Sequence, residues 1–186
     1  MRIIAGEMRS RRLKTPEGME TRPTADKVKE ALFSILADRV RDARVLDLYG
    51  GSGALALEAL SRGAAHAVIC DCAPKACRAI RENIDALACG DRARLLRMKY
   101  TATLAALGKS GERFDLIFLD PPYRMDTAPI CREIVERNLL APSGLLIVEH
   151  SRETPPAAAP PLVRVDHREY GVTGLSMYRR QGEENQ

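Results

Sequence analysis

The chain has 186 residues, 45% of them hydrophobic, which fits one domain with one substantial core. Its longest apolar runs, such as Leu116–Leu119 and Leu145–Val148, fall far short of the ~18 residues a membrane-spanning helix needs. It opens on charge and not on a signal-like apolar stretch, so neither export nor anchoring is expected, and the cytoplasm is the expected compartment. Lysine and arginine number 29 against 25 acids, a formal net charge of +4 that says little by itself. Its placement says more. Residues 1–22 hold Arg2, Arg9, Arg11, Arg12, Lys14 and Arg22 against Glu7, Glu17 and Glu20, a basic segment that could track a phosphate backbone or stand as a solvated, fraying terminus. The odd set Cys70, Cys72, Cys77, Cys89 and Cys131 lacks the spacing of a disulfide framework and reads as reduced, small core residues.

In chain order, Met1–Pro16 is broken by Gly6 and bounded by Pro16 and Gly18, a pattern for a two-stranded hairpin. Val28, Ala31, Leu32, Ile35 and Leu36 recur at helical spacing after Pro23-Thr24, with Thr24 as N-cap. From Arg44 onward, strands at Val45–Leu48, Ala67–Cys70, Arg94–Met98, Leu116–Leu119 and Leu145–Glu149 alternate with helices near Ala54–Arg62, Pro74–Leu87, Thr101–Leu107 and Thr127–Asn138. That rhythm is an α/β fold built on a parallel sheet. Pro155, Pro156, Pro160 and Pro161 flank three alanines in a stiff connector, after which Leu162–Tyr170 and Gly174–Arg179 read as an added antiparallel pair. The expected organisation is one domain: a basic extension over residues 1–22, an α/β core over 23–180 and a disordered tail over 181–186.

The first strand ends in Asp47-Leu48-Tyr49-Gly50-Gly51-Ser52-Gly53, a glycine turn opening a helix, where open α/β sheets take ligands. Asp71, eighteen residues after Gly53, closes the next strand, where a ribose diol would be held. The pair points to a nucleoside ligand and leaves NAD and S-adenosylmethionine both open, while tight turns and helix-starting acids also occur without any ligand. Asp47 favours the sulfonium cofactor, because a carboxylate there repels a pyrophosphate but can hold a cationic amino-acid end.

The fourth strand runs into Asp120-Pro121-Pro122-Tyr123. The exocyclic amine of a nucleobase is a poor nucleophile because its lone pair is delocalised into the ring. The Asp120 carboxylate and the Pro121 carbonyl can accept its two hydrogens, the prolines fix that carbonyl, and Tyr123 can stack on the base. The same tetrapeptide can serve as a plain strand exit.

These motifs resemble those of class I S-adenosylmethionine-dependent methyltransferases. With Arg22–Phe33, Glu58–Ala64 and Tyr170-Gly171, the chain resembles over nearly its whole length the bacterial 16S ribosomal RNA guanine-N2 methyltransferases of the RsmD type. The resemblance implies a single-domain Rossmann-like fold, a seven-stranded mostly parallel sheet with one antiparallel strand and a basic N-terminal hairpin. It also implies S-adenosylmethionine without a metal, and a small-subunit rRNA guanine as target, in the helix 31 loop and preferably within an assembled particle, with no obligate protein partner. It gives Asp47, Tyr49, Gly50, Gly51, Gly53, Asp71 and Cys72 to the cofactor, with Arg22 and Thr24 at the pocket edge. Asp120, Pro121, Pro122 and Tyr123 fall to the target amine, and Arg2, Arg9, Arg11, Arg12 and Lys14 to RNA. Tyr49-Gly50 stands where relatives usually have Phe-Ala, Asp71 where they have Glu, and Lys99 near a position where an acid commonly meets the adenine. Other readings of the same residues are a methyltransferase acting on DNA adenine or protein glutamine, and a noncatalytic RNA-binding assembly factor.

Overall fold

Helix α1 (Pro23–Leu36) turns Val28, Leu32, Phe33 and Leu36 into one buried stripe, as their spacing requires. The computed structural model describes residues 1–18, 23–122, 125–156 and 160–182, the side chains of residues 23–25 excepted. Thr24 is not the N-cap: the helix already starts at Pro23, whose fixed φ and missing N–H suit a first helical position. A short 3-10 turn, Ala37–Val40, follows.

The chain divides into two compact units, Met1–Tyr100 and Thr101–Gln186. In the first, β1 (Arg44–Asp47), α2 (Ala54–Ser61), β2 (His66–Cys70), α3 (Pro74–Ala86) and β3 (Ala93–Leu96) form successive βαβ turns. Their strands are parallel, β1 to β2 from Arg44↔His66 to Asp47↔Ile69 and β2 to β3 from Ala67↔Ala93 to Cys70↔Leu96. Val45, Leu46, Leu57, Leu60, Ile69, Ile80 and Ile84 fill the core between them.

Helix α4 (Tyr100–Lys109) leads into the second unit, which holds β4 (Phe114–Leu119), α5 (Ala128–Glu136), β5 (Leu140–Ser151), β6 (Leu162–Tyr170) and β7 (Thr173–Arg180). Strands β4 and β5 are parallel, and β7 runs antiparallel to both β5 and β6. The strand order of the seven-stranded sheet is β3-β2-β1-β4-β5-β7-β6. Strand β5 starts five residues before the expected Leu145, because Ala141-Pro142-Ser143-Gly144 is absorbed as an irregularity between the pairs Phe114↔Leu140 and Leu116↔Leu145.

The two arms of the N-terminal segment pair antiparallel as expected of a hairpin, with a bridge at Arg2↔Arg12 and backbone bonds from the Ile3 N–H to the Arg11 carbonyl at 2.9 Å, the Ser10 N–H to the Ile3 carbonyl at 2.9 Å and the Leu13 N–H to the Met1 carbonyl at 3.0 Å. Other backbone groups of the segment are taken by helices α2 and α3. Gly6, at φ +85°, lies so close to the end of α2 that a Cβ would stand 1.8 Å from the Ser61 carbonyl oxygen. The Glu7 N–H donates to that carbonyl at 2.8 Å, the Met8 N–H donates to Ser61 Oγ at 2.9 Å, and Ser61 Oγ donates to the Ala5 carbonyl at 2.6 Å.

Glu58, fully buried in α2, holds the rest of the segment. Its Oε1 accepts from the Ala5 N–H at 3.0 Å and Arg62 Nε at 2.8 Å, and its Oε2 accepts from the Ile4 N–H at 2.8 Å and pairs with Lys29 Nζ at 3.2 Å. Lys29, 4% exposed, also donates to the Arg2 carbonyl at 2.6 Å. Burial pushes the Lys29 ammonium below its ordinary pKa, and Glu58 opposes that shift. Glu58→Gln strips the counter-ion from this buried ammonium and should lower the unfolding free energy by about 3–5 kcal/mol in urea denaturation. Lys29→Met leaves Glu58 three of its four donors and should cost less. A loss for Glu58→Gln within the ~0.5 kcal/mol of ordinary surface changes would show that the network does not hold the segment.

Candidate active site

In the first unit, Asp47 ends β1 with 1% exposure, and the chain then turns through Tyr49-Gly50-Gly51-Ser52-Gly53 into α2. Gly50 donates its N–H to the Cys70 carbonyl at 2.9 Å, which lays the turn against the end of β2. A Cβ at Gly50 would stand 2.4 Å from Ile69 Cγ2 and 3.1 Å from Ile80 Cδ1, so this chain has filled with isoleucine the space an alanine would need. Gly51 and Gly53 have φ of +56° and +79°, the left-handed region that favours glycine. Around Gly51 a Cβ would meet nothing within 4 Å, so the turn leaves a backbone surface that a ligand can approach.

Asp71 lies at the exit of β2 and bends back onto this turn. Its Oδ2 accepts the Gly51 N–H at 3.0 Å and its Oδ1 accepts the Ala73 N–H at 2.8 Å. Two of its roughly four lone-pair sites are thereby used, and the others remain for a diol. Cys72 is exposed, contrary to its expected core role: β2 stops at Cys70, so the strand alternation does not extend to it. Cys70, Cys77, Cys89 and Cys131 are buried, and Cys77 Sγ donates to the Asp71 carbonyl at 3.2 Å.

Tyr100 belongs with these residues, although the sequence drew attention only to its neighbour Lys99, which is exposed. Its ring stands 5.9 Å from that of Tyr49, tilted by 34°. Burial first, and Tyr100 second, push the Tyr49 hydroxyl up to about 12, so it stays neutral at physiological pH. The aromatic count, low at 4%, was the signal available: a tyrosine at the exit of β1 and another after β3 occupy equivalent strand ends.

Asn83 joins the turn to the basic segment. Buried in α3, it donates from Nδ2 to the Ser52 carbonyl at 2.8 Å and the Lys14 carbonyl at 2.9 Å, while its Oδ1 accepts the Lys14 N–H at 2.8 Å. Two of the cations expected on RNA are engaged within the protein. Arg11 Nη2 donates to the Ala86 carbonyl at the end of α3, and Lys14 Nζ pairs with Glu82 at 3.0 Å. Arg2, Arg9 and Arg12 are exposed. Arg22 lies outside the described residues, and the Thr24 backbone lies in the first turn of α1.

In the second unit, β4 delivers Asp120, Pro121 and Pro122 at its carboxyl end, and the Pro122 carbonyl accepts the Met125 N–H at 2.9 Å. Tyr123 lies outside the described residues. Pro121 is buried, whereas Asp120 is exposed. Protein around the carboxyl removes enough bulk water to push it up to about 6. Pro121 and Pro122 also line a cavity of about 530 Å³, together with Asp126, Glu149, His150 and Pro155.

A family model described as Conserved hypothetical protein 95 matches residues 1–179. The ribosomal RNA small subunit methyltransferase D of Escherichia coli (strain K12) is 35% identical over 186 residues, covering 98% of this chain and 91% of its own. The YlbH protein of Bacillus subtilis (strain 168) is 36% identical over 184 residues, covering 98% and 100%. Among solved structures, yhhF from Escherichia coli matches with a TM-score of 0.86 at 32% identity over 97% of each chain. A hypothetical protein from Thermus thermophilus matches at 0.82 and 32% identity over 96% of this chain and 99% of its own. Agreement of this extent, on a fold with the glycine turn and the Asp120-Pro121-Pro122 exit in place, means that the chain belongs to the Conserved hypothetical protein 95 family, the RsmD-type methyltransferases its motifs resemble.

Proposed function

We propose that this protein methylates the exocyclic N2 amine of a guanine in small-subunit ribosomal RNA, in the cytoplasm, with S-adenosylmethionine as donor. The observation that carries the reading is the rigid exit of β4, where a carboxylate and a proline-fixed carbonyl follow one another. The relative named for the small-subunit RNA, 35% identical over nearly both full lengths, supports the substrate class.

The first unit suits the cofactor: Gly51 offers the open backbone, Asp71 the remaining lone pairs for a ribose diol, and Asp47 a carboxylate for an ammonium group. Tyr49, Gly50, Gly53 and the exposed Cys72 complete that set, with Arg22 and Thr24 at its edge. When bound, S-adenosylmethionine supplies a methyl group already activated by its sulfonium sulfur. The protein's own task is to present the acceptor. Asp120 and the Pro121 carbonyl hold the two amine hydrogens, which turns the nitrogen lone pair away from the ring, and Tyr123 stacks on the base. As the nitrogen gains its fourth bond it must lose a proton, and the Asp120 carboxylate, ionised above about 6, accepts it.

Supplying labelled S-adenosylmethionine to naked 16S rRNA, isolated small subunits and total protein should label guanine in RNA, most strongly in the assembled particle. Label confined to protein would overturn the reading. Asp120→Ala should abolish transfer while leaving cofactor binding within a few-fold. Transfer by the unaltered protein should fall below pH about 6 as Asp120 gains its proton, and Asp120→Asn, which keeps one acceptor oxygen, should retain part of the rate and lose that acid limb. A pH profile shared by both proteins would mean that another group governs it.

Arg2, Arg9 and Arg12 are the exposed cations suited to phosphate. Replacing Arg9 and Arg12 together should weaken RNA association and lower the slope of log K against log salt by about 1–2, at ~0.7 per single-strand phosphate contact. Arg11→Ala, which removes a bond within the protein, should change that slope less.

A further inference from the structure

Strands β1 and β3 flank β2 in the sheet of the first unit, and a tyrosine follows each of them, Tyr49 after β1 and Tyr100 after β3. Two strand spacings, about 10 Å, separate β1 from β3. Rings whose centroids stand 5.9 Å apart therefore meet across the end of β2.

The path of the chain after β3 explains how Tyr100 comes to lie there. The Leu96 carbonyl accepts the Asp71 N–H at 3.2 Å, and the Met98 carbonyl accepts from Cys70 Sγ at 3.2 Å. Both bonds draw residues 97–100 against the exit of β2. Burial first, then Tyr100, Cys70 and Cys72, raise the pKa of the Tyr49 hydroxyl, as expected of a group that stands beside the residues on both sides of Asp71. Both tyrosines are half-buried and Cys72 is exposed, so the aromatic pair borders solvent at this strand exit and is not lost in the core.

The order of the strands matches the order of groups in S-adenosylmethionine. Asp47 on β1 suits the amino-acid end and Asp71 after β2 suits the ribose diol, so the next group along the molecule, the base, falls toward β3. A base hangs from the ribose carbon next to the diol, which brings it within reach of Tyr100. Stacking on an aromatic ring suits any purine, because every base has a π-face. The same exit offers less to the amine of adenine. Lys99 is exposed, and its ammonium can only donate. The Leu96 and Met98 carbonyls each accept a bond already, and the Asp71 oxygens accept the Gly51 and Ala73 N–H groups.

We infer that the Tyr100 ring is the wall on which the adenine of the cofactor stacks, so that this chain holds the purine by its face and not by its amine. This rests on the assignment of the glycine turn and Asp71 to S-adenosylmethionine.

Calorimetric titration of the full-length protein with S-adenosyl-L-homocysteine and with S-inosyl-L-homocysteine, whose purine carries a carbonyl in place of the amine, tests both halves. The unaltered protein should bind the two within about threefold of each other. Tyr100→Ala should weaken both by about 10–100-fold, whereas Tyr100→Phe, which keeps the ring, should stay within about threefold of the unaltered protein. The chain has no tryptophan, so its tyrosine emission can be read directly. Stacking should quench that emission on binding, and Tyr100→Phe should lose part of the quench, a change that a merely structural role for this residue would not produce. Should Tyr100→Ala fail to fold, the affinity and quench of Tyr100→Phe decide the matter. Full affinity in Tyr100→Ala, weak binding by Tyr100→Phe or an undiminished quench in it would each overturn the assignment. A preference of the unaltered protein for the adenine ligand by about tenfold or more would show that the amine is read after all. If the unaltered protein binds neither ligand, the cofactor assignment beneath the inference fails instead.

Discussion

A carboxylate removed from water must be met by donors on every side, and Glu58 meets that demand with groups from three parts of the chain. Two backbone N–H groups come from residues 4 and 5, one ammonium from α1 and one guanidinium from the last turn around α2. None of those donors is close to another in sequence except Ile4 and Ala5. The first unit can therefore satisfy Glu58 only when the N-terminal segment and α1 are both docked on α2, and α2 is the helix that the glycine turn opens. Asn83 repeats the logic at the other side of the turn, where one amide satisfies the backbone of Ser52 and of Lys14. Asn83 thus ties the glycine turn to the basic segment, and Glu58 ties that segment to the helix the turn opens.

This coupling changes what the basic segment is. A free tail would present all its cations to a polyanion but would lose conformational freedom on binding it. Here the ordering has already been done by folding. Arg11 and Lys14 help to fasten the segment to α3, and Arg2, Arg9 and Arg12 are held out from a backbone whose path is set. Fewer cations at fixed positions favour a shaped RNA surface over any phosphate chain of sufficient length.

The apolar strands and the helical stripes were legible in the sequence because each is bounded by glycine, proline or charge, and β1, β2, β3, β4, β6 and β7 lie within two residues of where periodicity puts them. The glycine turn, Asp71 and the Asp120 exit were legible as motifs, since each sits at a strand end that the pattern defines. Three features were not. Periodicity suggests the pairing of the two N-terminal arms but cannot tell that the N–H groups of residues 4, 5, 7 and 8 go to α2, so the docking of the hairpin on that helix is invisible in the pattern. Pro142 and Gly144 look like a loop, yet β5 carries them as an irregularity because both flanking stretches pair with β4. Glu58 did leave a trace, a lone charge in the apolar run Ala54–Ser61, but a sequence does not say which distant donors will meet it.

Recognition of RNA makes two opposed electrostatic demands. A phosphate backbone attracts cations over a distance of about one Debye length, ~8 Å at physiological ionic strength, and that attraction carries little sequence information. A base offers neutral donors and acceptors that act only at contact and are hardly screened. The exposed Arg2, Arg9 and Arg12 carry the sign of charge that the first demand needs. The rigid Asp120-Pro121-Pro122 exit of β4 has acceptors of the kind the second needs. Salt erodes the first kind of contribution and leaves the second, so the choice of a base is set where counter-ions have least effect.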